Sequence, residues 1–295
     1  MQFLFNIFKG MLIGVANVIP GVSGGTMAVS LGIYDRLIGS ISGLLESFKK
    51  SISFLLPILI GCVLGIVCFT YVIEYLLAEH TFVTCMAFVG LILGGIPILL
   101  TALRKNMHTR HKRKIGICGI AAFLLAFFVC AVLPLLKVGE AGLTRIPVNA
   151  GSMAILFLLG VISSATMVIP GVSGSMMLMI FGYYYGIINT IKGFFDALRA
   201  MEPAGMVHGF LLLTPFGIGI ILGIFLIAKL ITFLFDRFGV ETYCAILGLV
   251  LASPVAIFIN TGLFSMLDTL DFWSVTFGIV LLAAGAMFTN LVGEK

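Results

Sequence analysis

The chain has 295 residues, of which 61% are hydrophobic and only 10% are charged, and its mean hydropathy is +1.23. This composition excludes a soluble globular domain, and the long apolar runs predict an all-α polytopic membrane protein. The formal net charge of +5 is concentrated in a few loops. It therefore reports on membrane topology and does not indicate a nucleic-acid partner.

A broken apolar segment opens the chain. The sequence VIPGVSG at residues 18–24 recurs without change at residues 168–174, a spacing of 150 residues. A Pro-Gly break leaves backbone N–H groups unpaired, and hydrocarbon tolerates this only where the segment is buried in protein or lines a cavity. We interpret the two copies as the two halves of one site.

The first copy lies in a predicted hairpin, residues 3–47, whose arms run over 3–19 and 25–45. A full crossing needs about 20 apolar residues, so these arms favour a re-entrant or deep helix hairpin. The first half, residues 1–146, continues with three predicted transmembrane helices, at 52–77, 81–103 and 115–136.

The basic residues predict the orientation. The loop 104–114 is rich in Arg and Lys, which marks the cytoplasmic side, and Lys49 and Lys50 lie two crossings earlier on the same side. This topology places both termini in the cytoplasm. The loops near Glu79, Glu140 and His208 then lie outside.

The second half, residues 147–295, repeats the plan. It has a hairpin at 150–192, with arms 151–169 and 175–191, and spans at 211–235, 242–259 and 272–291. A second set of matches, at a spacing of 158 residues, includes Gly61 with Gly219 and Gly90 with Gly248. Three crossings per half is an odd number, so the second half is predicted to be inverted. Inverted repeats with paired helix breaks are typical of alternating-access transporters.

Each motif copy places small and hydroxyl residues at the start of a helical arm. Helix N-termini bind anions, because free N–H groups and the positive end of the helix dipole point the same way. We therefore predict a phosphate or carboxylate site. Its residues are Ser23, Gly24, Gly25, Thr26, Ser173, Gly174 and Ser175. The alternative is that these small residues only permit close helix packing.

Four further polar residues are candidates. The amide of Asn17 can turn into the pocket, although its counterpart is Met167. Arg36 can bind two phosphate oxygens at once, while an ion pair with Asp35 or a role as a helix-end anchor remains open. Asp35 and Glu74 are candidates for coupling or gating, since ionisable residues near the membrane interior are often functional. Glu74 can equally reach the membrane interface.

No residue set indicates catalysis, a metal or a cofactor. Neither motif contains a carboxylate that could act as a base, and no hydrolase or nucleotide-binding motif is present. The six cysteines lie in apolar runs without metal-type spacing. We expect a protein that is not an enzyme.

The sequence GVANVIPGVSGGT at residues 14–26, followed by Gly32 and Tyr34, and the second IPGVSG resemble the DUF368 family of bacterial membrane proteins. The similarity covers nearly the whole chain. The resemblance implies a flippase in the bacterial inner membrane that returns a polyprenyl phosphate, undecaprenyl phosphate, from the outer to the inner leaflet for cell-wall synthesis. The second copy departs from the first, with Ser175-Met176 in place of Gly25-Thr26.

Two alternatives remain at this point. Undecaprenyl-pyrophosphate phosphatases also carry inverted re-entrant hairpins, and one of their motifs reads Pro-Gly-x-Ser-Arg-Ser. Here Gly24 and Gly174 stand where that arginine would be, so the residue that would hold the pyrophosphate is missing. A small-anion carrier or channel would need the same helix ends without a groove for a lipid.

Overall fold

The computed structural model describes residues 2–19, 21–110, 114–136 and 143–293. All regular secondary structure within these residues is helical, which confirms the all-α class. Six described helical segments are long and apolar enough to cross a membrane. They are Phe48–Glu79, Thr81–Thr109, Ile117–Leu135, Ala150–Val168, Pro203–Asn260 and Phe272–Val292. The chain is therefore a multi-pass membrane protein.

The helices of the first half are α1 (Gln2–Val18), α2 (Gly24–Ser30), α3 (Tyr34–Ser42), α4 (Phe48–Glu79), α5 (Thr81–Leu93), α6 (Ile96–Thr109) and α7 (Ile117–Val132). Those of the second half are α8 (Ala150–Val168), α9 (Gly174–Ile180), α10 (Tyr184–Ala200), α11 (Pro203–Asn260) and α12 (Phe272–Val292).

The two motif copies have the same backbone course. Helices α1 and α8 each end two residues before the proline of the motif, because a proline disfavours helical geometry in the residue before it. Gly21 and Gly171 then adopt left-handed conformations, with φ of +86° and +81°. Only glycine takes this conformation at little cost. Helices α2 and α9 begin at the last glycine of each copy.

The second arm of each hairpin is divided, which the sequence did not predict. Gly32 and Gly182 have φ of +70° and +75° and end α2 and α9 after seven residues each. Helices α3 and α10 begin two residues later. The predicted arms 25–45 and 175–191 therefore each contain a short helix, a turn and a second helix.

The chain forms two compact units. Unit 1 contains Met1–Leu135, Ile169–Val172 and Ala228–Lys295, and unit 2 contains Leu136–Val168 and Ser173–Ile227. Unit 2 has an apolar core of Ile146, Leu156, Leu159, Leu178, Ile187, Leu212 and Phe216.

Equivalent glycines bring helices together in each unit. In unit 1 a Cβ added to Gly10 of α1 would lie 2.2 Å from the carbonyl oxygen of Ile58 on α4. In unit 2 a Cβ added to Gly160 of α8 would lie 2.3 Å from the carbonyl oxygen of Phe216 on α11. The second pair follows the first by the spacings of 150 and 158 residues seen in the sequence. The spacings seen in the sequence therefore recur in the helix contacts.

Inside unit 1, two helices of the first half, α5 and α7, pack against helices of the second half. A Cβ added to Gly90 of α5 would lie 2.2 Å from the carbonyl oxygen of Leu282 on α12. A Cβ added to Gly248 of α11 would lie 2.3 Å from the carbonyl oxygen of Phe123 on α7. The second predicted span of each half thus packs against the third span of the other half. Unit 1 contains helices from both halves for this reason.

The 58-residue helix α11 contains a break at Phe238, where φ is −129° and ψ is 43°. The last carbonyl groups before such a break lack helical partners. The guanidinium group of Arg110 donates to the carbonyl oxygens of Phe235 at 2.9 Å and Arg237 at 3.1 Å, and also to that of Asp236. This contact holds the end of α6 against the break.

The helix contacts predict opposite effects for two Gly→Ala substitutions. Gly90→Ala places a methyl group against the α12 backbone, so we expect a loss of about 1–3 kcal/mol in the free energy of unfolding. Gly217→Ala, in the interior of α11, meets no atom within 4 Å. It should be neutral or gain up to about 1 kcal/mol from helix propensity. Thermal unfolding of the purified protein in detergent measures both, and equal melting temperatures for the two variants would contradict the packing.

Candidate functional site

The first motif copy satisfies its own helix start. Ser23 is the N-cap of α2, and its Oγ accepts a hydrogen bond from the N–H of Thr26 at 3.1 Å. The N–H of Gly24 donates to Oδ1 of Asn17 at 2.8 Å. Asn17 thus contacts the motif, as expected, but as an acceptor for the backbone. Two N–H groups that the sequence suggested for an anion are occupied by side chains here.

The two motif copies are in direct contact inside unit 1. The backbone N–H of Gly171 donates to Oγ1 of Thr26 at 2.6 Å and to Oγ of Ser23 at 3.2 Å. Ser23 and Thr26 are 2% and 0% exposed. An unpaired N–H at this depth would cost free energy, because a buried donor needs an acceptor. The hydroxyls of the first copy therefore stabilise the backbone of the second.

Gly171 is fixed on its other sides as well. Its carbonyl oxygen accepts a hydrogen bond from Sγ of Cys130 at 3.2 Å. A Cβ added to Gly171 would lie 2.8 Å from that sulfur and 2.9 Å from the carbonyl oxygen of Leu249. Cys130 is buried, and through this contact it helps to hold the break in place.

The second copy is more open than the first. The Oγ atoms of Ser173 and Ser175 lie 2.8 Å apart, Ser175 is exposed and Ser173 is half-buried. Ser173 makes no side-chain cap of α9. Gly174 is buried, and an added Cβ would lie 2.5 Å from the carbonyl oxygen of Ser163. The second copy therefore presents two hydroxyl groups, whereas those of the first copy are enclosed.

Arg36 and Asp35 point to different neighbours in unit 1. The guanidinium carbon of Arg36 lies 4.1 Å from the centre of the Phe54 ring. Asp35 accepts a hydrogen bond from the hydroxyl of Tyr243. Arg36 lines a cavity together with Lys50 that contains no residue of the first motif. The structure thus separates Arg36 from Ser23 and Thr26, although the sequence grouped them.

Two other charged residues, Glu74 and Lys229, lie outside the motif. Glu74 is exposed in the last two turns of α4, between the exposed aromatic residues Tyr71 and Tyr75. Aromatic residues in such positions are typical of a membrane interface. Nζ of Lys229 lies 3.0 Å from Oε1 of Glu46. Exposed ion pairs of this kind add little stability.

Lys9 was missed as a functional candidate. It is 0% exposed, and its Nζ lies 4.7 Å from the centre of the Phe5 ring. Asn6, one turn earlier on α1, is also buried. The signal was in the sequence, since Lys9 is a lone charge in an apolar arm. Among the described residues, no three His, Cys, Asp or Glu side chains are placed to hold a metal ion.

The chain is similar to known proteins over most of its length. The family model described as VCA0040-like, undecaprenyl phosphate translocase-like, matches residues 13–270. A polyprenyl-phosphate transporter of Staphylococcus aureus is 33% identical over 258 residues, which cover 86% of this chain and 85% of the relative. A polyprenyl-phosphate transporter of Vibrio cholerae is 28% identical over 225 residues, 72% of this chain and 68% of the relative. No solved structure matches the chain at a significant level.

The names of the family and of both relatives describe translocases and transporters. The prediction that the chain is not an enzyme is therefore confirmed. The resemblance carried by the first motif is confirmed as well, because the family model spans both copies of the motif. The chain belongs to the undecaprenyl phosphate translocase-like family.

Proposed function

We propose that the chain carries a polyprenyl phosphate, such as undecaprenyl phosphate, across the bacterial cytoplasmic membrane from the outer to the inner leaflet. Both relatives are named polyprenyl-phosphate transporters, and the six long apolar helices fit a membrane carrier. The paired helix breaks at residues 18–24 and 168–174 are typical of such carriers.

The observation that carries the proposal is the hydrogen bond from Gly171 to Thr26 and Ser23. This hydrogen bond joins the two copies of the motif, so we expect a movement of one copy to affect the other. Broken helices in transporters hold their substrate where two such segments meet. We therefore assign phosphate binding to the motif.

In this conformation the second copy is the one that can receive a phosphate. The hydroxyls of Ser173 and Ser175 can donate to phosphate oxygens, and the N–H groups at the start of α9 lie beside them. The first copy, with Ser23, Gly24, Gly25 and Thr26, can offer its hydroxyls to a phosphate only after they release the N–H of Gly171. Neutral donors suit a carrier because a phosphate held by them is released more readily than one held by buried cations.

Orientation and coupling form the rest of the proposal. The contact of Arg110 with residues 235–237 brings the basic loop and the break in α11 to one side, which the excess of Arg and Lys assigns to the cytoplasm. Asp35 is the first candidate for coupling, since its bond to Tyr243 joins a hairpin of the first half to a span of the second. Glu74 is the second candidate.

The first test of this proposal measures transport itself. Vesicles containing the purified protein should move a farnesyl phosphate with a fluorescent tail label between leaflets, measured by bleaching the outer label with dithionite. The double variant Ser173→Ala/Ser175→Ala should slow this movement about tenfold, because each lost bond to a charged group is worth about 1.5–3 kcal/mol before compensation by water. A substitution at Gly174 would test packing instead, because an added side chain would meet the carbonyl oxygen of Ser163.

Controls separate the alternatives. Ser152→Ala, a buried serine of α8 outside the motif, should move the label at the wild-type rate. Wild-type vesicles that move no more label than empty vesicles would contradict the transport proposal. Release of phosphate from a polyprenyl pyrophosphate would point to a phosphatase, and competition by inorganic phosphate at equal concentration would point to a small-anion carrier.

The second prediction concerns the bond between the motif copies. Thr26→Val keeps the shape of the side chain but removes the closer acceptor of the Gly171 N–H. It should lower the free energy of unfolding by about 1–3 kcal/mol, the cost of a buried donor left with a poorer partner. Thr26→Ser keeps the hydroxyl and should lose less. Thermal unfolding in detergent compares them, and a Val variant as stable as the Ser variant would show that the bond contributes nothing.

The third prediction tests topology by cysteine labelling of intact cells. A thiol reagent that does not cross the membrane should label Met201→Cys and leave His108→Cys unlabelled until the cells are permeabilised. Both positions are exposed in the structure. The wild-type protein gives the background from its natural cysteines. Labelling of position 108 from outside would reverse the assigned orientation.

A further inference from the structure

A small cavity in unit 1 lies between the start of α1, the first turn of α3 and the first turns of α4. Its volume is about 230 Å³. Its polar lining comes from Gln2, Asn6, Arg36, Lys50 and Ser53, and its apolar lining comes from Phe3 and Phe54. The volume is below the range of about 300–1,000 Å³ that is typical of sites for drug-sized ligands. It suits a compact head group.

The charge of this cavity is one-sided. Arg36 and Lys50 are its two charged residues, and no carboxylate is among its described lining residues. Neither cation forms an ion pair with another described residue. Two cations that face one cavity repel each other, so an anion placed between them would be stabilised. The cavity therefore favours a negatively charged ligand.

The guanidinium group of Arg36 is already oriented. It stacks on the ring of Phe54, which is 3% exposed and so held by packing. Stacking covers the face of the guanidinium group and leaves its edge, with the N–H donors, free for oxygen atoms in the same plane. This fork matches two oxygens of a phosphate, and Lys50 adds a point charge beside it.

Asn6 gives a second, independent indication of a ligand. Its side chain is 4% exposed, and its buried Oδ1 has no hydrogen-bond partner among the described residues. A buried polar atom without a partner costs free energy, which a ligand can recover. A phosphate monoester in its singly protonated form donates one hydrogen bond and accepts several, so it can satisfy an amide and two cations together.

We propose that this cavity binds the phosphate monoester head group of the carried lipid. The proposal rests on the proposed function. The cavity lies beside Lys49 and Lys50, on the side that the charge pattern assigns to the cytoplasm, so it is the place where the head group leaves the carrier. The polyprenyl chain stays in the hydrocarbon and passes Phe3, which is exposed at the cavity wall.

The second half has a cavity between the corresponding elements, described here within unit 2 alone. It lies between the residues before α8, helix α10 and the start of α11, and its volume is about 540 Å³. It contains Arg145 and His208, and His208 follows Lys50 by the spacing of 158 residues. Because this cavity also contains Glu202, it lacks the one-sided charge of the first cavity, and the head-group proposal rests on the first cavity alone.

The test measures binding of farnesyl phosphate to the full-length protein in lipid nanodiscs. Farnesol and inorganic phosphate are the two comparison ligands. Arg36→Gln and Lys50→Gln should each weaken binding of farnesyl phosphate about tenfold, as expected for one charge-assisted contact. Lys49→Gln is the matched control, since Lys49 is exposed and does not line the cavity. It should change binding by less than about twofold.

Two further measurements guard against indirect effects. Arg36→Lys keeps the charge and loses the planar fork, so it should bind more weakly than wild type and more tightly than Arg36→Gln. In Ser53→Cys, farnesyl phosphate should slow alkylation of the new thiol, and farnesol should not. Lys50→Gln changes an exposed residue in the first turn of α4, so it keeps the test valid even where Arg36→Gln lowers the yield of folded protein.

The outcomes separate this proposal from the transport proposal. Farnesyl phosphate that binds wild type, Arg36→Gln and Lys50→Gln equally would overturn the cavity assignment and leave transport intact. Farnesol binding as tightly as farnesyl phosphate would overturn recognition of the phosphate. Inorganic phosphate that binds and depends on both cations, while farnesyl phosphate does not bind, would assign the cavity to free phosphate. A wild-type protein that binds no lipid phosphate would overturn both proposals.

Discussion

Hydrocarbon leaves no solvent to satisfy a broken helix, and this constraint governs the centre of the molecule. The chain meets it with its own side chains. Asn17 and Ser23 satisfy the start of α2, the hydroxyls of Ser23 and Thr26 satisfy the N–H of Gly171, and Cys130 satisfies its carbonyl oxygen. The small polar residues of the motif therefore have a structural role before they have a ligand. The sequence offered packing and anion binding as alternatives, and in the proposed transport the same residues would serve both at different stages.

Much of the fold could be predicted because helical breaks and close contacts leave strong sequence signals. The Pro-Gly pairs marked both breaks, and the glycine matches at two spacings marked the duplicated contacts. The partner exchange between halves could not be predicted. Gly90 and Gly248 signal a close approach in the sequence, but a missing side chain does not say which helix approaches. The division of the second arm of each hairpin could not be predicted either, since a single glycine inside an apolar run is compatible with a continuous helix.

The candidate site was predicted in part, and the limits have physical causes. Residue type identified the hydroxyls of Ser23 and Ser173, because few groups can act as donors in hydrocarbon. The sequence already showed that the second copy departs from the first, and the structure has one enclosed copy and one open copy. One difference bears directly on this: Thr26 supplies the hydroxyl that closes the first copy, while Met176 stands at the same position of the second. A carrier with unequal copies can favour one orientation over the other without any ligand.

Helix α3 connects this asymmetry to the charges at the membrane surface. Asp35 and Arg36 are adjacent, so their side chains point about 100° apart around the helix. One bonds to Tyr243 on α11 and the other stacks on Phe54 of α4. A rotation of α3 that breaks the first contact must also move Arg36 across its cavity. Because α3 follows α2 directly after the turn at Gly32, we expect release of the Thr26 hydroxyl from Gly171 to affect both residues. The proposed head-group cavity and the helix break would then move together.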